Sequence, residues 1–342
     1  MDLYNPAINY LTFDDVLIVP AHSAVRSRSD VSIETKFDFG DLGYIKTKPV
    51  IPANMDTISG VAMVKYVTME KIGIGILHRY LSVEQMKKAV VDTWSDESFF
   101  SVGVIHQDRE RIDMLGKLNC GMCIDIAHGD SVNMKETIWY IRDEYPGCRV
   151  IAGNVCTPEA VSRLHEWGAH IIKVGIGAGS VCTTRLKTGV GMPQFSALSL
   201  CSEVGVQIIA DGGFKHTGDI AKALALPNVK AVMTGSMFAG TDFTDGYGMG
   251  ISTYRGMASK AAQEAFKGKF ANDEGITTMV TTQEVGSTSR VFREIFEGIR
   301  SSMSYVGATT LEEFKNRAKF IRISSSALLE NYPHILQQNK FR

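Results

Sequence analysis

Eight short apolar runs, each followed by a stretch of helical periodicity, constrain this chain more than any other feature. They occupy residues 49–52, 73–77, 99–105, 122–126, 149–152, 170–174, 206–210 and 229–234. The runs are continuous rather than alternating, the pattern of parallel strands covered on both faces. Between them lie amphipathic stretches at 82–91, 158–167 and 218–225. Ser82 ahead of Val83-Glu84, and Thr157 ahead of Pro158-Glu159, are helix start signals, the second with proline at the first helical position. The pattern predicts an α/β fold, a (β/α)8 barrel of about 250 residues decorated at both ends. A doubly wound open sheet is the alternative, but nothing in it would stop the alternation at eight.

A barrel makes a positional prediction, because its reactive groups gather at the C-terminal ends of the strands and phosphate binds after strands seven and eight. The strand ends here carry Asn54-Met55-Asp56, His78-Arg79, Asp125 with His128-Gly129-Asp130, Gly153-Asn154, Asp211-Gly212-Gly213 and Gly235-Ser236. Glycines at strands seven and eight would let backbone N–H groups cradle a phosphate ester at a helix N-terminus. After strand eight, residues 242–285 are less periodic and rich in Gly, Thr, Ala and Lys. A segment of that length suits a lid over the strand ends. Helical periodicity returns at 289–305 and is expected to close the barrel. The chain, 1–342, reads as a single domain.

Strand six delivers the most reactive loop, Gly175-Ile176-Gly177-Ala178-Gly179-Ser180-Val181-Cys182-Thr183-Thr184-Arg185. Glycine permits close backbone approach or positive φ, and a cysteine on such a loop can serve as a nucleophile once it is a thiolate. Packing is the competing reading for a cysteine, and a plain turn for the glycines. Cys120 and Cys123 form a C-x-x-C, but no second pair completes a zinc site, and both are expected to pack inside a strand. The six cysteines have no disulfide-framework spacing, which suits a reducing cytoplasm. A net charge of −1 argues against nucleic-acid or membrane-surface binding, and no apolar run reaches membrane-spanning length. Residues 1–6 lack the basic and apolar regions of a signal peptide.

Taken together, these motifs resemble the IMP dehydrogenase/GMP reductase family over nearly the whole chain. The resemblance rests on residues 11–18 (LTFDDVLI), 27–31 (SRSDV), 52–57 (PANMDT), 124–129 (IDIAHG), 151–155 (IAGNV), the cysteine loop, 187–191 (KTGVG), 209–213 (IADGG) and 304–308 (SYVGA). It implies that Cys182 is the nucleophile and that Thr184 and Glu274, the latter in Asp273-Glu274-Gly275, relay a proton. It places a purine nucleotide on Asp211, Gly212, Gly213, Gly235, Ser236, Gly256, Met257 and Gly275. NADPH would lie on Arg79, Asp125, Ile126, Ala127, Ile176 and Gly177. Ser27, Arg28 and Ser301 would complete the cofactor site, the adenine half being met from a neighbouring subunit of a homotetramer. Carbonyls of Gly177, Gly179, Cys182 and Arg185 would hold a monovalent cation, K+.

Within the family, the reductase pattern fits better. Residues 79–99 leave no room for the paired regulatory domains that IMP dehydrogenases insert there, and the flap at 256–275 contains no Arg-Tyr pair. The implied reaction is NADPH-dependent reductive deamination of GMP to IMP and ammonia through a covalent cysteine thioimidate. Two alternatives stay open: an IMP dehydrogenase without the insertion, oxidising IMP to XMP with NAD, and a purine-nucleotide-binding protein without turnover. The chain departs from the family at Gly177-Ala178-Gly179, where Gly-Pro-Gly is usual, and at Ala258, where a nucleotide-binding serine is usual, with Ser259 beside it. It also lacks the arginine before Glu-Gly, for which Lys267 or Lys269 could supply charge. Altered nucleotide preference, such as for a deoxynucleotide, is a further reading.

Overall fold

The computed structural model describes residues 9–244, 250–268, 273–282 and 286–332. Its centre is a barrel of eight parallel strands: β1 (Val50–Pro52), β2 (Gly75–Leu77), β3 (Ser98–Val102), β4 (Gly121–Asp125), β5 (Val150–Val155), β6 (Ile171–Val174), β7 (Ile208–Asp211) and β8 (Val229–Thr234). Each strand from β2 onward pairs with the next in sequence, and β8 pairs with β1. β1 and β2 meet edge to edge without a ladder. Just before β2, a Cβ on Gly73 would lie 2.4 Å from the Val50 carbonyl, so only glycine lets the chain pass there.

All eight strands fall on the expected runs. The third is shorter, because Ile105 begins the helix Ile105–Lys117, and the seventh starts two residues later than expected, at Ile208. Strand side chains alternate between two cores. Ile76, Phe99, Cys123, Ile151, Ile171 and Ile209 fill the barrel interior, whereas Ile124, Ala152, Ile172 and Ala210 pack under the helices. Phe37, Phe39 and Ile45 of the N-terminal hairpin, Thr35–Asp38 paired with Tyr44–Thr47, plug the bottom of the inner core. Burying each such aromatic or aliphatic side chain contributes about 1.5–3 kcal/mol. The continuous apolar runs are thus two alternating faces, both buried.

Helix starts follow the sequence signals. Ser82 Oγ accepts the Gln85 N–H at 3.1 Å to open Val83–Thr93, and Thr157 caps Pro158–Glu166. The helix Thr288–Tyr305 packs against Thr217–Leu224, with Gly298 seated on Thr217, and closes the outer ring as expected. No helix among the described residues is long and apolar enough to cross a membrane.

After β8, the described residues are more regular than their aperiodic sequence suggests. They form an antiparallel pair, β9 (Ile251–Arg255) with β10 (Thr277–Thr281), and a helix Lys260–Lys267 opened by Ser259. β10 is largely exposed, so no alternation of apolar and polar residues announces it.

Candidate active site

The alternation that fills the barrel also builds its polar ceiling. One step beyond the inward-facing Cys123, Ile171 and Ile209 come Asp125, Lys173 and Asp211. Lys173, 1% exposed, donates from Nζ to Asp125 Oδ1 at 2.6 Å, to Asp211 Oδ2 at 3.1 Å and to Asn54 Oδ1 at 3.4 Å. Gly153 faces Lys173 in the ladder, and a Cβ there would come within 2.6 Å of the lysine Cβ. Burial alone would favour a neutral lysine, but the two carboxylates outweigh it and keep the ammonium charged. Burial likewise opposes ionisation of Asp125, and Lys173 reverses this, holding its pKa below the ordinary carboxylate value. Asn154 Nδ2 donates to Asp211 Oδ2 and to the Gly175 carbonyl, both at 2.8 Å. One oxygen of Asp211 is therefore held from two sides.

Above this layer lies a cavity of about 500 Å³ at the C-terminal ends of the strands. The cysteine loop forms one wall. Cys182 N–H donates to the Gly179 carbonyl at 3.1 Å, and Cys182 Sγ lies 3.2 Å from Thr184 Oγ1, to which the thiol donates. If the sulfur is ionised the direction reverses, and the hydroxyl becomes donor to the thiolate. Gly177 sits at φ +73°, where a Cβ would collide with Arg185 Cγ at 2.5 Å. The Arg185 guanidinium donates to the Ile176 and Met192 carbonyls, so it braces the loop from behind and faces away from the cavity.

The flap closes the opposite wall and docks on the same loop through its main chain. Thr183 N–H donates to the Glu274 carbonyl at 3.0 Å, and Ile276 N–H to the Val181 carbonyl at 2.9 Å; Cys182 and Gly275 form a β-bridge. Tyr80 Oη donates to the Met257 carbonyl at 2.7 Å while its ring stacks on Phe266, with centroids 4.6 Å apart. Arg255 on β9 donates from Nε to Asp56 Oδ2 at 2.9 Å and joins the flap to the end of β1.

The floor toward β7 and β8 is lined by Gly212, Gly213, Gly235 and Ser236. Gly213 takes φ +89°, a conformation that costs a residue with a side chain. Tyr254 Oη lies 3.0 Å from Ser180 Oγ, and burial raises its pKa, leaving a neutral hydroxyl that can donate.

Most of the expected residues converge here. Cys182, Thr184, Glu274, Asp211, Gly212, Gly213, Gly235, Ser236, Gly256 and Met257 line the cavity, as do Arg79, Asp125, Ile126, Ala127, Ile176, Gly177 and Gly179. Gly275 lies behind them, bridged to Cys182 and Ser259. Ala258 is in the lining, whereas Ser259 is buried outside it, its Oγ accepting the Ala262 N–H at 3.3 Å as the cap of the helix Lys260–Lys267. Lys269 lies outside the described residues. Ser27, Arg28 and Ser301 are not part of the cavity. The short turn Arg28–Asp30, capped by Ser27, instead lies along the helix Thr288–Tyr305 that carries Ser301. Cys120 and Cys123 are buried, with burial pushing both thiols up to about 12, so both pack as expected.

The sequence reading overlooked Lys173, Tyr80 and Tyr254. The one trace of Lys173 in the sequence is a lysine inside the otherwise apolar strand Ile171–Val174, on the inward parity, and nothing local names its partners.

Comparison with known proteins agrees with this geometry. Residues 10–334 match a family model described as the IMP dehydrogenase / GMP reductase domain. The chain is 38% identical over 333 residues to a GMP reductase of Buchnera aphidicola subsp. Acyrthosiphon pisum (strain Tuc7), covering 92% of this chain and 94% of that one. It is 37% identical over 332 residues to a GMP reductase of Enterobacter sp. (strain 638) and 36% identical over 332 residues to one of Escherichia coli O81 (strain ED1a), with the same coverage.

Proposed function

The chain belongs to the IMP dehydrogenase / GMP reductase family, and from that premise we propose that it reduces GMP to IMP and ammonia at the expense of NADPH. The observation that carries this reading is the juxtaposition of Cys182 Sγ with Thr184 Oγ1, in a cavity whose flap brings Glu274 to the same loop. The relatives' shared name, GMP reductase, favours the reductive direction.

The Cys182 thiolate attacks carbon 2 of guanine, forming a C–S bond as the C–N bond to the exocyclic amine breaks. That amine leaves as ammonia only if protonated. Thr184 hands it a proton and recovers one from Glu274. The product of this step is a thioimidate between Cys182 and the purine, which divides a difficult displacement into two easier ones. Two-electron reduction at carbon 2 followed by loss of the cysteine thiolate gives IMP.

Gly213, Gly235 and Ser236 bind the phosphate through backbone N–H groups and one hydroxyl. Asp211 accepts from the ribose hydroxyls with the oxygen that Asn154 and Lys173 leave open. Gly256, Met257 and Gly275 hold the base beneath the flap. A nicotinamide dinucleotide, when bound, supplies the two electrons. Arg79, Asp125, Ile126, Ala127, Ile176 and Gly177 fit it: Arg79 Nε is buried without a partner among the described residues, a donor suited to an acceptor of that kind. Ser27 and Arg28, outside this cavity, serve the adenine half bound in a neighbouring subunit of a homotetramer, and Ser301 adds to the cofactor site. The carbonyls of Gly177, Gly179, Cys182 and Arg185 suit K+; those of Gly179 and Arg185 each accept one backbone N–H and keep a second lone pair. Six free cysteines suit a reducing cytoplasm.

The test is absorbance at the NADPH band. Consumption of NADPH with GMP, and no reduction of NAD with IMP, supports the proposal; the reverse pattern would assign an IMP dehydrogenase. Nucleotide binding with no turnover in either assay would leave a binding protein. Running dGMP beside GMP measures the effect of the altered flap on nucleotide preference.

A further inference from the structure

We infer that Lys173 is a positioning residue shared by the two halves of the site, the ammonium through which the nucleotide carboxylate and the dinucleotide carboxylate are held in one arrangement. The inference rests on the assignment of Asp211 to the nucleotide and Asp125 to the dinucleotide made above. An ammonium has three N–H donors. Those of Lys173 reach Asp125 Oδ1, Asp211 Oδ2 and Asn54 Oδ1, and the side chain is 1% exposed. None is left for a ligand. Lys173 therefore acts through the two aspartates and not as an acid or base.

The surrounding structure forces this role. Lys173 stands on β6 with Asp211 on β7, while Asp125 stands on β4, across the strand β5 that lies between. That intervening strand presents Gly153 opposite the lysine, so the long side chain crosses over it to reach Asp125. Without the ammonium, two largely buried carboxylates would share the polar layer beneath the cavity with no cation between them. Each aspartate also keeps one oxygen outside the lysine contacts, and both line the cavity. A ligand bound to one aspartate is consequently felt at the other through a single cation.

Binding of GMP and of NADP+ to Lys173→Met, titrated separately at equilibrium, tests this. Methionine keeps the length and loses the charge. We expect both dissociation constants to rise at least tenfold. We also expect KM for each ligand to rise more than kcat falls, and the alkylation rate of Cys182 in the unliganded protein to stay within twofold of wild type. Loss of affinity for one ligand only, or for neither, would overturn the inference. If Lys173→Met does not fold, Asp125→Asn decides the matter. It leaves the ammonium to Asp211 and should change GMP affinity at least threefold, although Asp125 is assigned to the dinucleotide. Unchanged GMP affinity there would refute the coupling. Because binding is read directly, a wild-type protein that bound both ligands without turnover would count against the reduction alone, and the lysine's effect on both affinities would still be decided.

Discussion

Thr183 donates its backbone N–H to the carbonyl of Glu274 at 3.0 Å, so the flap carboxylate is tied by main chain to the residue beside the nucleophile. A catalytic group on a lid is useful only when closing the lid places it, and here one hydrogen bond ties the two. If Glu274 feeds protons to Thr184, then Glu274→Gln and Thr184→Val should each lower kcat by about 10²-fold or more with little change in KM for GMP. The double variant should be scarcely worse than either single one, since the two residues act as a unit. Steady-state kinetics on the three variants check this; additive losses would mean separate roles.

The flap is also held by Tyr80 and Arg255. Tyr80→Phe keeps the stack on Phe266 and loses the 2.7 Å hydrogen bond to Met257. A several-fold rise in KM for GMP is expected, because closure over the nucleotide is weakened by about 1 kcal/mol. Substrate titration of the initial rate measures it.

Arg255→Met strands Asp56, whose Oδ1 is buried without a partner among the described residues and whose Oδ2 depends on the arginine. Leaving one buried carboxylate uncompensated should cost about 2 kcal/mol, less than for a fully buried pair because Arg255 is partly exposed. Urea unfolding followed beside activity separates general destabilisation from loosening of the flap, which is expected to precede it.

Much of this architecture could be read from the residues, for a physical reason. A strand covered on both faces must be apolar at every position, so the eight runs stood out against amphipathic helices. Asp125 and Asp211 were legible because they end such runs at the face where barrels place their chemistry, and Cys182 because it stands on the glycine-rich loop that follows the sixth run at the same face. Lys173 was not, because a lysine within an apolar strand has no local marker of its partners; Asp125 and Asp211 lie 48 and 38 residues away in sequence. β10 escaped notice for the opposite reason, its exposed Thr277, Thr278 and Met279 burying too little to show a period. Ser27 and Arg28 came from family resemblance alone, and a single chain leaves them outside its own cavity.

Acid should destabilise the fold before it titrates most carboxylates. Burial lowers the pKa of His78 to about 4, and that of His170 to about 4 as well. The unfolded chain protonates its histidines near pH 6.5. Between these limits the unfolded state binds more protons, so stability is complete above about pH 6.5 and falls as pH drops toward 4. His78 contributes on the order of 2 kcal/mol of this loss by pH 4.5, and the less buried His170 contributes less. Urea midpoints at pH 7 and 4.5 should differ in wild type, and differ less in His78→Asn, whose side-chain oxygen can still accept the Tyr80 N–H that Nδ1 accepts at 3.1 Å.

The proposed chemistry turns on the sulfur of Cys182. Its most direct test is Cys182→Ala, assayed for NADPH consumption with GMP and titrated with GMP in parallel. Turnover should fall below detection while GMP affinity stays within about threefold of wild type, since phosphate and ribose are held by other residues. Reduction of GMP by the alanine variant at a rate comparable to wild type would contradict covalent catalysis at this position.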